Sequence, residues 1–207
     1  MTHFTSKKRS LRRDAMAVAG VLSVFSTALL LGILPEDAAA RRAIMNKVIA
    51  LLEAGAKPDV ANRYGVTPLL QASRAGDAAV IGALLDRGAN VSLAHPDGET
   101  PLMAAARSGN AGVIKALTSR AASVNAHERL RGQTALMWAA DQQHPAAVRA
   151  LIEAGADVHA RSAIWKQIEN TAGNTNDRGD FEMSHGGSTA LLFSARRGDM
   201  ESARLLL

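Results

Sequence analysis

The chain has 207 residues, of which 47% are apolar, 21% charged and 3% aromatic, enough for one or two folded domains. The few aromatics, together with abundant alanine, leucine and glycine, argue against an all-β sandwich or barrel and favour close-packed helices. The absence of cysteine excludes disulfides, thiolate metal sites and a cysteine nucleophile. The formal net charge of +5 is not gathered into a basic stripe with stacking aromatics, so we predict no nucleic-acid binding.

Residues 1–40 have the organisation of a targeting segment. Residues 1–14 are basic, residues 15–34 contain no charged side chain, and small residues follow Pro35 up to Ala40. This order is typical of a secretory signal cleaved before Arg41, but an apolar stretch of about 20 residues also spans a bilayer. We therefore expect export to a bacterial periplasm or envelope, through either a cleaved signal peptide or an uncleaved N-terminal membrane anchor.

Four similar segments divide the rest of the chain. Their threonines are separated by 33, 34 and 55 residues, and each is followed by proline or alanine and then by leucine. The segments are 65–70 (GVTPLL), 98–103 (GETPLM), 132–137 (GQTALM) and 187–192 (GSTALL). A period near 33 residues that carries Thr-Pro-Leu resembles the ankyrin-repeat family, over roughly residues 36–207. The resemblance implies an all-α solenoid of stacked helix–turn–helix units with β-turn tips, preceded here by the N-terminal apolar helix.

The residue types within one unit are those that such a fold requires. Thr67 can cap a helix that begins at Pro68, where the missing N–H has no cost. The second helix of the same unit ends at Gly88, in the left-handed conformation that glycine adopts easily. Ala121 occupies the same helix-ending position in the next unit, so we expect a left-handed residue there. Gln143 replaces a turn glycine of the fourth unit.

The repeats depart from the family pattern in several places. The family's histidine after Thr-Pro-Leu is replaced by apolar residues, which we expect to pack in the core: Leu70, Met103, Met137 and Leu192. Residues 38–56 match the second half of a first unit, with Ala43 at the position of the turn glycine. The last unit stops at Leu207 before its helix end, so we expect a fragment of a longer protein, with a natural C-terminus sealed by a partner as the alternative. Residues 41–207 thus hold about five units, the first and last incomplete.

An inserted loop at 162–186 adds about 22 residues to one repeat interval. Its first part, residues 163–170, contains two isoleucines and a tryptophan at spacings compatible with a short amphipathic helix. The middle of the insertion is polar. Such an insertion at a turn tip is expected to project from one edge of the stack.

The sequence contains no Walker loop, G-x-S-x-G or H-E-x-x-H motif, and we predict no catalytic residue and no cofactor. His95, His127 and His159 recur at similar places in successive units. Because neighbouring units stack about 10 Å apart, two such rings are too distant to share one ion, and we predict no metal site.

The resemblance implies that a partner protein binds the turn tips and the inner face of the first helices. This surface would be rich in arginine, which suggests an acidic partner. Mapped onto this sequence, the partner-binding residues are Arg63, Tyr64, Arg74, Asp97, Glu99, Arg107, Leu130, Arg131, Gln133, Asp141, Gln142, Arg196 and Arg197.

Together these observations predict a non-catalytic protein–protein interaction module that is exported or membrane-anchored. The protein would contact the membrane only through its N-terminal segment, if that segment is uncleaved. The alternative is the recognition arm of a larger exported enzyme whose catalytic domain is missing from this fragment. A full-length reading frame distinguishes the two hypotheses.

Overall fold

The computed structural model describes residues 38–170 and 180–207, and the predicted leader at 1–37 lies outside them. The helices are α1 Ala38–Glu53, α2 Pro68–Ala75, α3 Ala78–Asp86, α4 Pro101–Ser108, α5 Ala111–Thr118, α6 Ala135–Asp141, α7 Pro145–Glu153, α8 Ala190–Arg197 and α9 Met200–Leu205. The strands are β1 Ile164–Asn170 and β2 Asp180–Gly186. Within these described ranges, no helix combines the length and apolar character needed to cross a bilayer.

The helices stack in two rows. Helices α2, α4, α6 and α8 form an inner row in which each contacts the next, and α1, α3, α5, α7 and α9 form an outer row in the same way. From α2 onward, each inner helix also packs against the outer helix that follows it in the chain. The core therefore runs as one continuous apolar layer between the rows, and each unit covers the apolar face of its neighbour.

Threonine side chains begin the inner helices as the sequence predicts. The hydroxyl of Thr67 accepts a hydrogen bond from the Leu70 N–H at 3.2 Å, and Thr100 accepts one from Met103 at the same distance. Proline follows both threonines at the first helical position. Thr189 has the same extended backbone but makes no capping hydrogen bond, so α8 lacks this stabilisation of its first turn.

Two residues with a β-carbon adopt the left-handed conformation at positions where other units have glycine. Ala121 has φ 62°, which confirms the expectation for this residue, and Gln143 has φ 59° at the turn between α6 and α7. Gly88 and Gly155 end their helices with φ 80° and 87°. The alignment of the repeats is thus confirmed at the level of backbone angles.

The apolar residues that replace the family's histidine have two different environments. Leu70, Met103 and Met137 are fully buried between the rows, as predicted. The prediction is wrong for Leu192, whose residue surface is 49% exposed, because no described helix packs beyond α8 on that side.

The inserted segment forms an antiparallel hairpin, and the predicted helix over residues 163–170 is wrong. Ile164 lies opposite Gly186, and Asn170 lies opposite Asp180, so the two strands pair along their whole length. An isolated helix of eight residues is marginal because its nucleation is unfavourable, whereas the strand gains a cross-strand partner for its backbone groups.

Helix α1 is also longer than expected. It runs without interruption through Ala43, where the alignment places a turn, so that expectation is corrected. Its C-terminal half packs on α3 in the outer row and buries Val48 and Leu52. This half of α1 therefore serves as the outer helix of the first unit.

Candidate binding groove

The turn tips carry exposed side chains at one edge of the stack. Tyr64 is 61% exposed and Leu130 is 77% exposed. The Arg63 guanidinium lies 4.6 Å from the centroid of the Tyr64 ring and donates a hydrogen bond to the tyrosine hydroxyl. Arginine and tyrosine are enriched at binding hot spots, and a cation–π contact at an exposed site contributes about 0.5–1 kcal/mol to holding such a pair in place.

Polar side chains inside each tip fix its shape. The buried carboxylate of Glu128 accepts hydrogen bonds from the backbone N–H groups of Leu130, Arg131 and Gln133, at 2.6, 2.7 and 3.1 Å. Asn62 accepts two equivalent bonds in an earlier tip. Sequence reasoning missed Glu128, although a polar residue five or six positions before each repeat threonine is a usable signal.

Asp97 orders its own tip in a related way. Its carboxylate accepts a hydrogen bond from the Glu99 N–H at 2.9 Å and lies 2.7 Å from Nδ1 of His95. Partial burial raises the pKa of Asp97, but these hydrogen bonds and the charge interactions with His95 and Arg74 together lower it by more. The net pKa of Asp97 therefore lies below the ordinary value.

Neighbouring tips are joined through their backbones. The Arg129 N–H donates to the carbonyl of Asp97 at 2.8 Å, and the Ala163 N–H donates to the carbonyl of Arg131 at 2.8 Å. The second bond connects a regular tip to the base of the β1–β2 hairpin. The predicted tip residues and the hairpin therefore belong to one continuous edge.

Arg74 and Glu99 form an ion pair between adjacent units. Arg74 lies in the last turn of α2, and its guanidinium donates through Nε and an Nη to both carboxylate oxygens of Glu99. Glu99 is only 4% exposed. The structure thus differs from the expectation of a surface contact: Glu99 is engaged within the protein and holds two units together.

Asp141 and Arg197 form a second such pair, between α6 and α8. Nε and an Nη of Arg197 donate to the two carboxylate oxygens of Asp141, each at 2.9 Å. The hydrogen bonds from Arg197 hold the pKa of Asp141 below its ordinary value, against the smaller opposing effect of burial. The same contact raises the pKa of the Arg197 guanidinium, so both groups stay charged at neutral pH.

Arg107 has a different environment from Arg74 and Arg197. Its guanidinium lies 5.6 Å from the centroid of the Trp138 ring, on the inner helix of the next unit. The two residues line an open cleft of about 160 Å³ together with Gln133, Asp141 and Gln142. Trp138 was missed by sequence reasoning, although the other inner helices carry glutamine, alanine or phenylalanine at this position.

A wider depression of about 490 Å³ adjoins this cleft along the inner row, beside Arg74, Arg107 and Ser108. The inner helices thus present a groove at Arg74, Arg107 and Trp138. Within the described part of the chain, no carboxylate forms an ion pair with four of the six predicted arginines: Arg63, Arg107, Arg131 and Arg196.

The histidines at the repeat turns have different environments. His95 contacts Asp97, whereas the side chains of His127 and His159 are exposed. In residues 38–170 and 180–207, no three histidine or carboxylate side chains come close enough to hold a metal ion.

Comparison with known families agrees with the repeat geometry. A family model described as Ankyrin repeats (3 copies) matches residues 84–162, and one described as Ankyrin repeat matches residues 64–95. No curated protein matches the chain. The matched segment contains the capping threonines Thr67, Thr100 and Thr134, the left-handed residues Ala121 and Gln143, and helices α2 to α7 of the two rows. Residues 64–162 therefore belong to the ankyrin-repeat family.

Proposed function

We propose that this protein is a non-catalytic scaffold that binds a partner protein through the groove and the turn tips. Ankyrin repeats typically bind other proteins. The observation that carries the proposal is a row of exposed arginines along one side of the stack, at Arg63, Arg107 and Arg131, which have no ion-pair partner among the described residues. Exposed arginines beside aromatic rings are typical of binding hot spots.

Site-specific photo-crosslinking in living cells tests this proposal. A benzoylphenylalanine replaces Ser108 beside Arg107 in the groove, Leu130 beside Arg131 at a tip or, as the matched control, Arg149 on the outer helix α7. All three positions are exposed, so each substitution is expected to preserve the fold. We expect a discrete crosslinked partner from the first two positions and none from the third. Equal crosslinking from all three, or from none, contradicts a groove-directed binding role.

We also propose that the protein works outside the cytoplasm, either in the bacterial periplasm or anchored with its repeats facing the periplasm. The support is the order of residues 1–40, with a basic start, an uncharged apolar stretch and small residues at its end. Fusion of residues 1–45 to a reporter that is active only after export tests the proposal. Deletion of residues 15–34 should abolish reporter activity, and unchanged activity contradicts export.

The mass of the mature N-terminus then distinguishes the two routes. A protein that begins at Arg41 has lost a signal peptide, whereas one that retains residues 15–34 in the membrane fraction is anchored. The cleaved form would also lose residues 38–40 at the start of α1 but would keep Val48 and Leu52, which this helix buries.

A further inference from the structure

The repeat register shows that one arginine of the groove lacks the carboxylate that its counterpart has. Arg74 and Arg107 lie at equivalent positions, each seven residues after the threonine of its unit. Arg74 pairs with Glu99, the residue before the next repeat threonine. For Arg107, the equivalent residue is Gln133, which is neutral. The groove therefore contains one interunit ion pair at Arg74 and a matching position at Arg107 where the anion is absent.

The side chains around Arg107 are compatible with binding of an anion from outside the protein. The guanidinium lies over the Trp138 ring, and Gln133 and Gln142 line the same cleft. Within the described residues, Arg107 has no ion-pair partner, and the Trp138 indole N–H has no hydrogen-bond acceptor. The cation is thus positioned by an aromatic ring while its hydrogen-bonding groups are available to a ligand.

The other carboxylate of the cleft does not supply the missing charge. Asp141 is held by Arg197 in a two-point contact, and Arg196 adds a further positive charge nearby. The hydrogen bonds from Arg197 keep Asp141 ionised and occupied. The cleft therefore retains a local excess of positive charge centred on Arg107.

We infer that the Arg107–Trp138 cleft is a recognition site for one carboxylate side chain, aspartate or glutamate, in an extended peptide segment of the partner protein. The carboxylate accepts hydrogen bonds from the Arg107 guanidinium, as Glu99 does from Arg74. The methylene groups of the acidic residue lie against the edge of the Trp138 ring. The Gln133 amide is available to the peptide backbone, as is the side-chain oxygen of Gln142, whose nitrogen donates to Asp141 at 3.2 Å. This inference rests on the proposed function, because it specifies what the groove recognises in its partner.

A peptide fits this cleft better than a nucleic acid does. One unpaired guanidinium with two amides matches one carboxylate, whereas a phosphate backbone requires a continuous basic track. The ionised Asp141 lies in the same cleft and opposes a second negative charge. The exposed face of Trp138 is occupied by Arg107, so it does not offer an open platform for a base.

The test begins with random peptides of about twelve residues, displayed on phage and selected against the full chain at low salt, where charged contacts are least screened. A parallel selection uses Gln133→Glu, which places an internal carboxylate beside Arg107 as Glu99 stands beside Arg74. We expect the first selection to enrich an acidic residue at one fixed position, and the second selection to lose that enrichment.

The best peptide is then synthesised with glutamate or glutamine at the fixed position. Binding is followed by tryptophan fluorescence in a Trp165→Phe background, where Trp138 is the remaining tryptophan of the two in the chain. Replacing the peptide glutamate should weaken binding by about tenfold or more, because a hydrogen-bonded charge pair is lost. In Arg107→Gln the same peptide change should matter less than about twofold, whereas Arg149→Gln, on the outer row, should keep the full effect.

The outcomes separate the inference from the proposed function. If Arg107→Gln keeps the tenfold sensitivity, or if the selected peptides share no acidic position, the carboxylate site is refuted while peptide binding still supports a scaffold. Displacement of the peptide by single-stranded DNA at similar concentration also refutes it and assigns the cleft to nucleic acid. Failure to enrich any peptide refutes the carboxylate site, while the crosslinking experiment decides the proposed function independently. Circular dichroism of each variant confirms that the helices are intact, and Arg107→Gln keeps the test valid if Gln133→Glu does not fold.

Discussion

Replacement of Ala121 by glycine tests the repeat register at a position where the backbone angle is known. Ala121 has φ 62° just after α5 and is exposed, and its N–H bonds to the carbonyl of Thr118 at 3.1 Å. A residue with a β-carbon loses roughly 1–2 kcal/mol in this conformation. Glycine removes that strain but gives the unfolded chain more freedom, at a cost of about 0.4–1 kcal/mol. We therefore expect Ala121→Gly to be between neutral and about 1.6 kcal/mol more stable than the wild type.

Ala116→Gly is the matched control, because it makes the same chemical change inside the same helix. Ala116 lies within α5 and is half-buried. Glycine in a helix interior destabilises by about 1 kcal/mol relative to alanine. Gln143 is less suitable for this comparison, although its φ is 59°, because its side-chain amide also donates to the Arg197 carbonyl at 2.8 Å.

Urea unfolding followed by circular dichroism measures both variants. The free energies of unfolding of the two variants should differ by about 1–2.6 kcal/mol. With a denaturant dependence of about 2 kcal/mol per molar, their midpoints should then be separated by about 0.5–1.3 M. Equal loss of stability in both variants would mean that strain at residue 121 does not contribute as reasoned.

Three further predictions concern the ion pairs and the hairpin. Glu99→Gln should lower the free energy of unfolding by about 1–3 kcal/mol, measured by urea midpoint, because a buried charged hydrogen bond is lost. Gly186→Ala should remove hydrogen-exchange protection from the hairpin, because a β-carbon there overlaps a backbone carbonyl, whereas Gly155→Ala, with φ 87° and open space, should not. Since its arginine partner lowers the pKa of Asp141, the stability advantage over Asp141→Asn should be full above about pH 4 and vanish as the pH falls further.

Much of the fold follows from local sequence signals that act within one unit. The threonine caps and the left-handed Ala121 depend on a few neighbouring residues, so the alignment of repeats was enough to predict them. The hairpin was not predictable in this way. Its first strand, residues 164–170, has apolar spacings that fit a helix as well as a strand, and its conformation is decided by pairing with residues 180–186.

The candidate site likewise combines features that the sequence predicts with features that it does not. The alignment placed Arg74, Arg107 and Arg196 in the inner helices, because each follows its repeat threonine by seven residues. It did not predict that Glu99 is buried against Arg74, since that contact crosses from one unit to the next. Nor did it predict that the Trp138 ring would lie beside Arg107 in one cleft. Contacts between units depend on how far each side chain extends, and this cannot be derived from the spacing of residues in the sequence.

The two ends of the hairpin leave the stack at adjacent points, and this has a consequence for chain length. The Ser162 N–H donates to the carbonyl of Ser188 at 3.0 Å, and the Ser188 N–H donates back to the Ser162 hydroxyl at 3.0 Å. The repeats on either side are therefore joined as if no residues had been inserted. Closing a flexible loop twice as long costs only about 0.6 kcal/mol more in entropy. The distal end of this hairpin can consequently gain or lose residues over evolution, or accept a grafted peptide, with little effect on the stability of the solenoid.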